Sequence, residues 1–206
     1  MSKVIKLKED QVTNGAQEQI DFSAPYLARI KIAGTADLLF HRYNCESVAE
    51  KNSAAKGSKS KKTDNIESYV YRNQEGLLCL PGESFRQSII TAAKFEQDPR
   101  SPRKSAMDLF KAAVISLTDL ASLGAKEWDY EDRRRVMVQR SAITRVRPAM
   151  RNGWTVDLEF MVQLPEYVPP QFLRSVLDNA GRLVGVGDFR PSYGRYRVDS
   201  WTVENP

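Results

Sequence analysis

The sequence predicts an α+β fold in which an antiparallel sheet carries helices on one face. Two segments, residues 26–40 and 154–164, alternate apolar and polar side chains, which is the pattern of half-buried strands. Three further segments, residues 84–93, 105–117 and 170–183, place apolar side chains at helical spacing. The resulting order of strand, helix, helix, hairpin, helix and strand suits a single sheet with its helices packed on one side.

The length and composition of the chain predict one domain. Its 206 residues are 41% apolar, which is enough to bury a single core. We expect an N-terminal arm at residues 1–25 and one domain at 26–206, with a flexible, lysine-rich insertion at about 41–66. The insertion's lysine-rich run, Lys51 to Lys62, either contacts phosphate or stays solvated, and composition does not decide between the two.

Charge and the scarcity of metal-binding residues limit the classes of function. Lysine and arginine number 31 against 26 aspartate and glutamate, so the formal charge of +5 favours a polyanionic partner. One histidine and two cysteines cannot supply four zinc ligands, so we expect neither a metal site nor a cofactor. The sequence has no signal-peptide core and no apolar run of membrane-spanning length. We therefore expect a cytoplasmic protein without a membrane partner.

The first half of the domain is predicted to contain a long strand and two helices. Gly34 interrupts the strand, which indicates a bulge or another backbone close by. Residues 73–76 carry turn chemistry between two short strands. Ser84, with a glutamine three residues later, forms a capping box at the start of the first helix. A second capped start at Ser105 leads into a helix that we expect to pass into a strand near Ile115.

The second half is predicted to contain a hairpin, a third helix and the last strand. Asn152-Gly153 is a strong signal for a hairpin between the β-branched segment 133–147 and the strand at 154–164. Pro169-Pro170 opens the third helix, because proline is tolerated in a first turn, and Gly185 closes it. A glycine-rich loop then leads to a strand from Arg195 through Val203.

The predicted hairpin carries an unusual density of positive charge. Seven arginines lie within nineteen residues that contain no carboxylate: Arg133, Arg134, Arg135, Arg140, Arg145, Arg147 and Arg151. Guanidinium groups bind phosphate oxygens bidentately and stack on bases, so this density predicts a nucleic-acid surface. The alternative is a solvated basic face, or arginines paired with acids just upstream such as Glu131 and Asp132. Trp154 at the foot of the hairpin could stack a base, but its place in the alternation favours the core.

The glycine-rich segment Gly181–Arg195 is the second candidate site. It follows a helix and precedes a strand, and no Gly-Lys-Ser/Thr follows it, so it is neither a dinucleotide fingerprint nor a P-loop. Its arginines, Arg190 and Arg195, and its aromatic residues, Phe189 and Tyr193, suit a single-stranded nucleic-acid backbone pressed against the loop. The alternative is a helix C-cap followed by an ordinary turn.

Two residues near the end of the first strand are candidates for catalysis. His41 is the only histidine, and its ordinary pKa lies near neutrality, so it is a conceivable general base for RNA cleavage. Asp37 is a candidate carboxylate, as is Asp188, but nothing in the sequence pairs them into a metal site. A lone histidine at a strand end is more often structural or a phosphate contact, and Asp37 can equally pair with Arg29 or Arg42.

Three motifs in common order resemble the RAMP superfamily, the proteins that form the crRNA-binding backbone of CRISPR effector complexes. Leu80–Arg86 looks like that family's proline-glycine-serine entry into its first helix, and Gly185–Arg195 looks like its terminal glycine-rich loop. The Arg-rich hairpin is similar to the family's protruding thumb. The resemblance covers most of residues 26–203 and implies a ferredoxin-like (RRM-like) antiparallel sheet with helices on one face, an Arg-rich β-hairpin thumb and a lysine-rich insertion.

The resemblance also implies a function. Some members cleave RNA with an aspartate in the loop after the first strand, but His41–Glu46 holds none, so it implies binding without cleavage. We expect a non-catalytic subunit that holds single-stranded RNA or DNA, self-associates into a stacked oligomer and joins CRISPR effector subunits. The alternatives are an endoribonuclease, a mimic that interferes with an effector complex, and a single-strand DNA-annealing protein. The expected contacts are Arg42, Arg86, Arg133, Arg135, Arg140, Arg145, Arg147, Arg190, Tyr193 and Arg195.

Overall fold

The computed structural model describes residues 24–42, 65–138 and 141–205, with no side chains for 136–138 and 141–143. The predicted N-terminal arm and the predicted insertion lie almost entirely outside the described residues. The strands are β1 (Tyr26–Gly34), β2 (Leu38–Leu39), β3 (Tyr71–Arg72), β4 (Leu78–Pro81), β5 (Gln97–Asp98), β6 (Ser101–Ser105), β7 (Val114–Ser116), β8 (Leu120–Ser122), β9 (Tyr130–Val138), β10 (Ser141–Met150), β11 (Thr155–Val162) and β12 (Tyr196–Glu204). The helices are α1 (Gly82–Ala92), α2 (Met107–Ala113) and α3 (Pro170–Asn179).

The central sheet has four antiparallel strands in the order β12-β1-β11-β7. Ile30 on β1 lies opposite Leu158 on β11 and opposite Trp201 on β12. The alternation along β1 gives the sheet two different faces, because Ile30 is buried while its neighbours Arg29 and Lys31 are exposed. The predicted half-buried strand is therefore confirmed over Tyr26–Gly34, but it was wrong beyond Gly34, because Leu38–Leu39 form the separate strand β2, which pairs with β10 in another sheet.

The helices cover the apolar face of this sheet and complete an α+β fold. Phe85 on α1 packs edge-on against Tyr196 on β12, with ring centroids 6.0 Å apart. Phe110 on α2 and Phe172 on α3 meet in a second edge-on pair at 5.2 Å. The Tyr26 hydroxyl, buried below them, donates a hydrogen bond to the carbonyl just before α3, that of Val168, at 2.8 Å. These contacts leave the opposite, charged face of the sheet open.

The helix starts differ from the sequence prediction. The first helix begins at Gly82, two residues before Ser84, and no side chain caps it. Gly82 packs so closely against the Thr118 carbonyl that a side chain would collide there, which sets the helix start. The second helix also begins without a side-chain cap, at Met107 rather than Ser105. Its predicted passage into a strand is confirmed, because β7 follows α2 directly.

The hairpin prediction was wrong in its pairing. The Arg-rich segment forms both strands of a hairpin, β9 and β10, which pair with each other, and β10 also pairs with β2. Strand β11 belongs to the central sheet instead. Asn152-Gly153 does make a turn, with Gly153 at a φ of +95°, but this turn carries the chain from one sheet to the other. Gly153 donates its N–H to the Gly34 carbonyl, and Trp154 accepts from the Gly34 N–H. The predicted close approach at Gly34 is thus confirmed.

Candidate nucleic-acid interface

The β9/β10 hairpin has two faces with different environments. Arg147 lies opposite Asp132 in the ladder, and Arg145 lies opposite Arg134. These four side chains share the face that meets the glycine-rich loop, since alternate residues of a strand point the same way. Arg133 and Arg135 belong to the opposite face, where both are exposed.

Arg147 is the buried anchor of the inner face. Its side chain is only 4% exposed, and its Nε lies 2.5 Å from Oδ2 of Asp188 in the loop. Its guanidinium also sits 4.6 Å from the ring centroid of Phe189. The Arg147 side chain is therefore occupied in joining the hairpin to the loop and presents almost no surface to a ligand, unlike the role that the sequence indicated for it.

Arg134 forms the second link between hairpin and loop. Its guanidinium stacks over the ring of Tyr193 at 4.7 Å, lies 5.6 Å from the ring of Phe189, and hydrogen-bonds the Tyr193 hydroxyl. Asp132 accepts a hydrogen bond from its Nε at 2.8 Å. Arg134 was absent from the predicted contacts. The signal that could have found it is Asp132 two residues earlier, which shares its face in an extended strand.

The glycine-rich loop is held against the strands by its backbone. Gly194 donates its N–H to the Asp37 carbonyl at 2.7 Å, and Asp188 donates to the Leu39 carbonyl at 2.9 Å. Gly187 and Gly194 have φ values of +76° and +68°, and a Cβ at either position would collide with a backbone carbonyl. The loop backbone therefore lies close to the protein's own backbone, and the predicted closure of the third helix at Gly185 is confirmed.

The carboxylate of Asp37 is occupied by hydrogen bonds from other residues of the protein. One carboxylate oxygen accepts the Tyr130 hydroxyl at 2.7 Å, and the other accepts the Asn152 N–H at 2.9 Å. Burial, with a further contribution from the hydrogen bond to Asp37, raises the pKa of Tyr130 to about 12. The residue that was a candidate for catalysis therefore organises the junction of β1, the hairpin base and the loop.

His41 and Arg42 lie on the exposed border of the inner face. The Nε2 atom of His41 is 3.4 Å from Nη1 of Arg145, and the His41 ring packs 5.0 Å from that of Tyr69. The Arg42 guanidinium stacks over the Tyr71 ring at 5.0 Å. The structure thus brings two predicted contacts, Arg42 and Arg145, to the neighbourhood of the only histidine.

The remaining predicted contacts fall into three groups. Four arginine side chains are exposed, two on the outer face of the hairpin and two in or after the loop: Arg133, Arg135, Arg190 and Arg195. Arg86 lies elsewhere, on α1, where it donates hydrogen bonds to the carbonyls of Lys111 and Val114 and pairs with Glu83. Arg140 lies outside the described residues.

The arrangement suits phosphate and base binding more than acid-base chemistry. Arg133 is 69% exposed although it pairs with Glu131 at 2.9 Å, so its remaining donors face solvent. Tyr193 is partly exposed and Phe189 exposed, which leaves ring surface beside the guanidinium groups. Exposed guanidiniums around aromatic rings bind a strand through phosphates and stacked bases. Within residues 24–42, 65–138 and 141–205, no three His, Cys, Asp or Glu side chains are grouped so as to hold a metal.

In the part of the chain that the structure describes, no helix has the length and apolarity needed to cross a membrane.

Trp154, which the sequence placed in the core rather than at a base-stacking position, is 4% exposed. Its indole N–H donates to the Ala36 carbonyl at 2.9 Å. Trp154 therefore packs in the core and holds the backbone next to Asp37 through this hydrogen bond. Its ring is not exposed at the interface.

Comparison with known proteins gives a match in fold. No protein-family model and no curated protein matches the sequence. Among solved structures, the chain is similar to a chain in the cryo-EM structure of the Type III-B Cmr-beta bound to cognate target RNA, with a TM-score of 0.54 at 8% sequence identity. The match covers 89% of this chain, and this chain spans only 62% of the Cmr chain. The protein therefore shares its α+β fold with a chain of the Type III-B Cmr-beta structure.

Proposed function

We propose that this protein is a non-catalytic subunit of the RAMP type that binds single-stranded RNA in a CRISPR effector complex. The observation that carries the proposal is the stack of Arg134 on Tyr193 and Phe189, which joins hairpin and loop. The exposed Arg190 and Arg195 flank this stack in the sequence of the loop, and the exposed Arg133 and Arg135 lie on the other face of the same hairpin. Hairpin and loop together offer cations for phosphates and rings for bases.

The topology supports the ferredoxin-like (RRM-like) part of the proposal. The chain runs from β1 through α1 to β7, then through β11 and α3 to β12, and the sheet order is β12-β1-β11-β7. The β9/β10 hairpin is inserted before β11, and we assign the role of the thumb to it. The Cmr structure that this fold matches is described as bound to target RNA, which favours RNA over DNA as the ligand.

The open face of the central sheet is a weaker candidate for RNA. Arg29 there is bound by two carboxylates, Glu159 at 2.9 Å and Glu204 at 2.7 Å. Asp157 lies opposite Lys31 in the ladder. Cations that are matched by acids release few counterions when a strand binds, so this face contributes little to affinity for a polyanion.

The proposal assigns no catalytic residue. Both carboxylate oxygens of Asp37 accept hydrogen bonds from the protein's own Tyr130 and Asn152, so Asp37 acts as a structural organiser. The alternative, an endoribonuclease with His41 as general base, requires labelled RNA to be cut by the wild type and spared by His41→Ala. We expect intact RNA with both proteins.

The test of RNA binding is a fluorescence-anisotropy titration of single-stranded RNA, single-stranded DNA and duplex DNA over a range of salt. Each lost phosphate contact lowers the slope of log affinity against log salt by about 0.7 for a single strand. For the double variant Arg133→Gln/Arg135→Gln, which lacks two contacts, we therefore expect the magnitude of the slope of log affinity against log salt to be smaller by about 1.4 than for the wild type.

The matched control removes the same charge from other surfaces. Arg174 on α3 binds Asp178, and Arg29 on the open face of the sheet binds Glu159 and Glu204. Arg174→Gln/Arg29→Gln should leave the slope of the wild type unchanged. Equal slopes for the two double variants would show that overall charge, and no particular surface, drives binding, and the proposal would then be wrong.

The proposal includes self-association along the strand. Light scattering should show a particle that grows when single-stranded RNA is added, and effector subunits should be retained with the protein in a pull-down. A monomer both with and without RNA would contradict stacking. Retention of an intact foreign effector subunit without RNA would instead favour the interfering mimic.

A further inference from the structure

A cleft of about 530 Å³ opens beside the candidate interface. Its walls are the end of α1 with the turn Ala93–Phe95, the π-helical turn Ala180–Val184 after α3, and residues 187–191 of the loop. Its volume lies within the roughly 300–1,000 Å³ typical of sites for small organic groups. Phe189 both lines the cleft and packs on Arg147, so the cleft and the interface share a wall.

Apolar side chains converge on this cleft without being buried by the protein. Phe95 is 56% exposed, Leu183 40% and Phe189 37%, and all three line the cleft. The two helix ends that carry Phe95 and Leu183 are fixed relative to each other, because Asn179 donates a hydrogen bond to the Glu96 carboxylate at 2.8 Å. Contiguous exposed apolar side chains that are rimmed by polar residues mark ligand grooves and interaction sites.

The rim of the cleft is cationic. The Lys94 ammonium lies 4.7 Å from the centroid of the Phe95 ring, and Arg190 is exposed on the opposite wall. The one carboxylate of the lining, Asp188, is bound to Arg147 and so is neutralised. The cleft thus offers an aromatic ring flanked by two cations, which fits a planar, electron-rich group that carries negative charge on both sides.

We propose that this cleft takes one unstacked nucleobase of the bound strand. The base stacks on Phe95 and contacts Leu183, while Lys94 and Arg190 bind the phosphates on either side of that nucleotide. This inference rests on the proposed function, since it needs a strand on the adjoining surface. It assigns the ring of Phe95 to base recognition, separately from the hairpin arginines that hold the backbone.

The test uses Phe95→Ala and a matched control in the same protein. Tyr167 is also an exposed aromatic residue with a cation over its ring, Arg100 at 5.7 Å, but it lies outside the cleft. Loss of one base stack should weaken the affinity for single-stranded RNA by roughly 5- to 150-fold. Tyr167→Ala should stay within about twofold of the wild type, because a rim side chain outside the site contributes little.

Two further measurements separate base stacking from a structural effect. Phe95→Trp should keep the affinity, and Phe95→Leu should lose it, since only the former retains a ring. On an abasic ribose-phosphate strand of the same length and charge, Phe95→Ala and the wild type should bind equally. With 2-aminopurine at one position of the strand, its fluorescence should rise on binding to the wild type, because the base leaves the stack with its neighbours, and rise less on binding to Phe95→Ala.

The outcomes distinguish this inference from the proposed function. A wild type that binds no RNA overturns both. A wild type that binds RNA with unchanged affinity in Phe95→Ala overturns the cleft and leaves the hairpin surface standing. An equal loss for Phe95→Ala on normal and abasic strands also overturns the cleft, because the effect then does not depend on a base.

Discussion

The ion pair between Arg147 and Asp188 should couple the stability of the hairpin to that of the glycine-rich loop. At an effective dielectric constant of about 20, two unit charges about 4 Å apart attract by roughly 4 kcal/mol. Burial opposes this attraction, because the Arg147 side chain is only 4% exposed and the loss of hydration of a charge costs several kcal/mol. The intact pair is therefore a small net contribution, and the larger effect appears when one partner is removed.

The size of that effect follows from the environment of each partner. Removal of one member of a buried ion pair destabilises by about 3–5 kcal/mol. Asp188 is 28% exposed and regains some hydration, and among the described residues Nε of Arg147 makes no well-aligned hydrogen bond. We therefore expect the lower end, about 3 kcal/mol, for Arg147→Met and for Asp188→Asn. This is a large share of the roughly 5–15 kcal/mol that a domain has.

A double-mutant cycle measured by urea unfolding tests this reasoning. The double variant Arg147→Met/Asp188→Asn should lose about as much as either single variant, so the coupling energy should be about 2–3 kcal/mol. The control cycle is Arg29→Met/Glu159→Gln, a pair at 2.9 Å that is about half exposed on both sides. Its coupling should be only about 0.2–1 kcal/mol. Additive losses at Arg147 and Asp188 would refute the proposed link between hairpin and loop.

Two further predictions concern the junction beneath the loop. Gly194→Ala and Gly76→Ala both place a side chain at positive φ, which costs about 1–2 kcal/mol, but only Gly194 faces a backbone carbonyl, that of Val186. Urea unfolding should therefore show that Gly194→Ala loses about 1–3 kcal/mol more stability than Gly76→Ala. Equal losses for the two variants would contradict the close approach of Gly194 to the Val186 carbonyl. Tyr130 has a pKa of about 12 in the fold against 10.0 ordinarily, so its stabilising contribution is complete below pH 10 and is lost as pH rises through 12. Tyr130→Phe should lose less stability than the wild type across that range, and an unchanged alkaline slope would show that the titration of Tyr130 is not responsible.

The strands of the central sheet could be predicted because their signal is local. Along β1 and β11 every second residue is apolar, and the structure buries that set, including Ile30, Leu158 and Phe160. The end of the third helix was equally clear, since Gly185 adopts a φ of +73° that favours glycine. Both features depend on residues that are neighbours in the chain.

The pairing of the hairpin could not be predicted from such local signals. Asn152-Gly153 carries ideal turn chemistry, but a turn does not determine whether the strands on either side pair with each other. That depends on which faces can be buried, and Trp154 after the turn belongs to the core beneath β1. The site was predicted only in part for the same reason. Composition identified the arginines. Which of them point toward the loop is shown only by the register of Arg147 with Asp132 and by the ion pair of Arg147 with Asp188.

The division of the arginines between structure and binding follows from the period of two along β9. Glu131 and Arg133 share one face, Asp132 and Arg134 the other, and only the second face meets Asp188, Phe189 and Tyr193. A shift of one residue in the register of β9 would exchange these faces. It would turn Arg133 and Arg135 toward the loop and turn Arg134 away from Tyr193 and Phe189. The same residues, and the same net charge, would then lack the stack that joins hairpin and loop, so the binding surface depends on the register and not on the number of arginines.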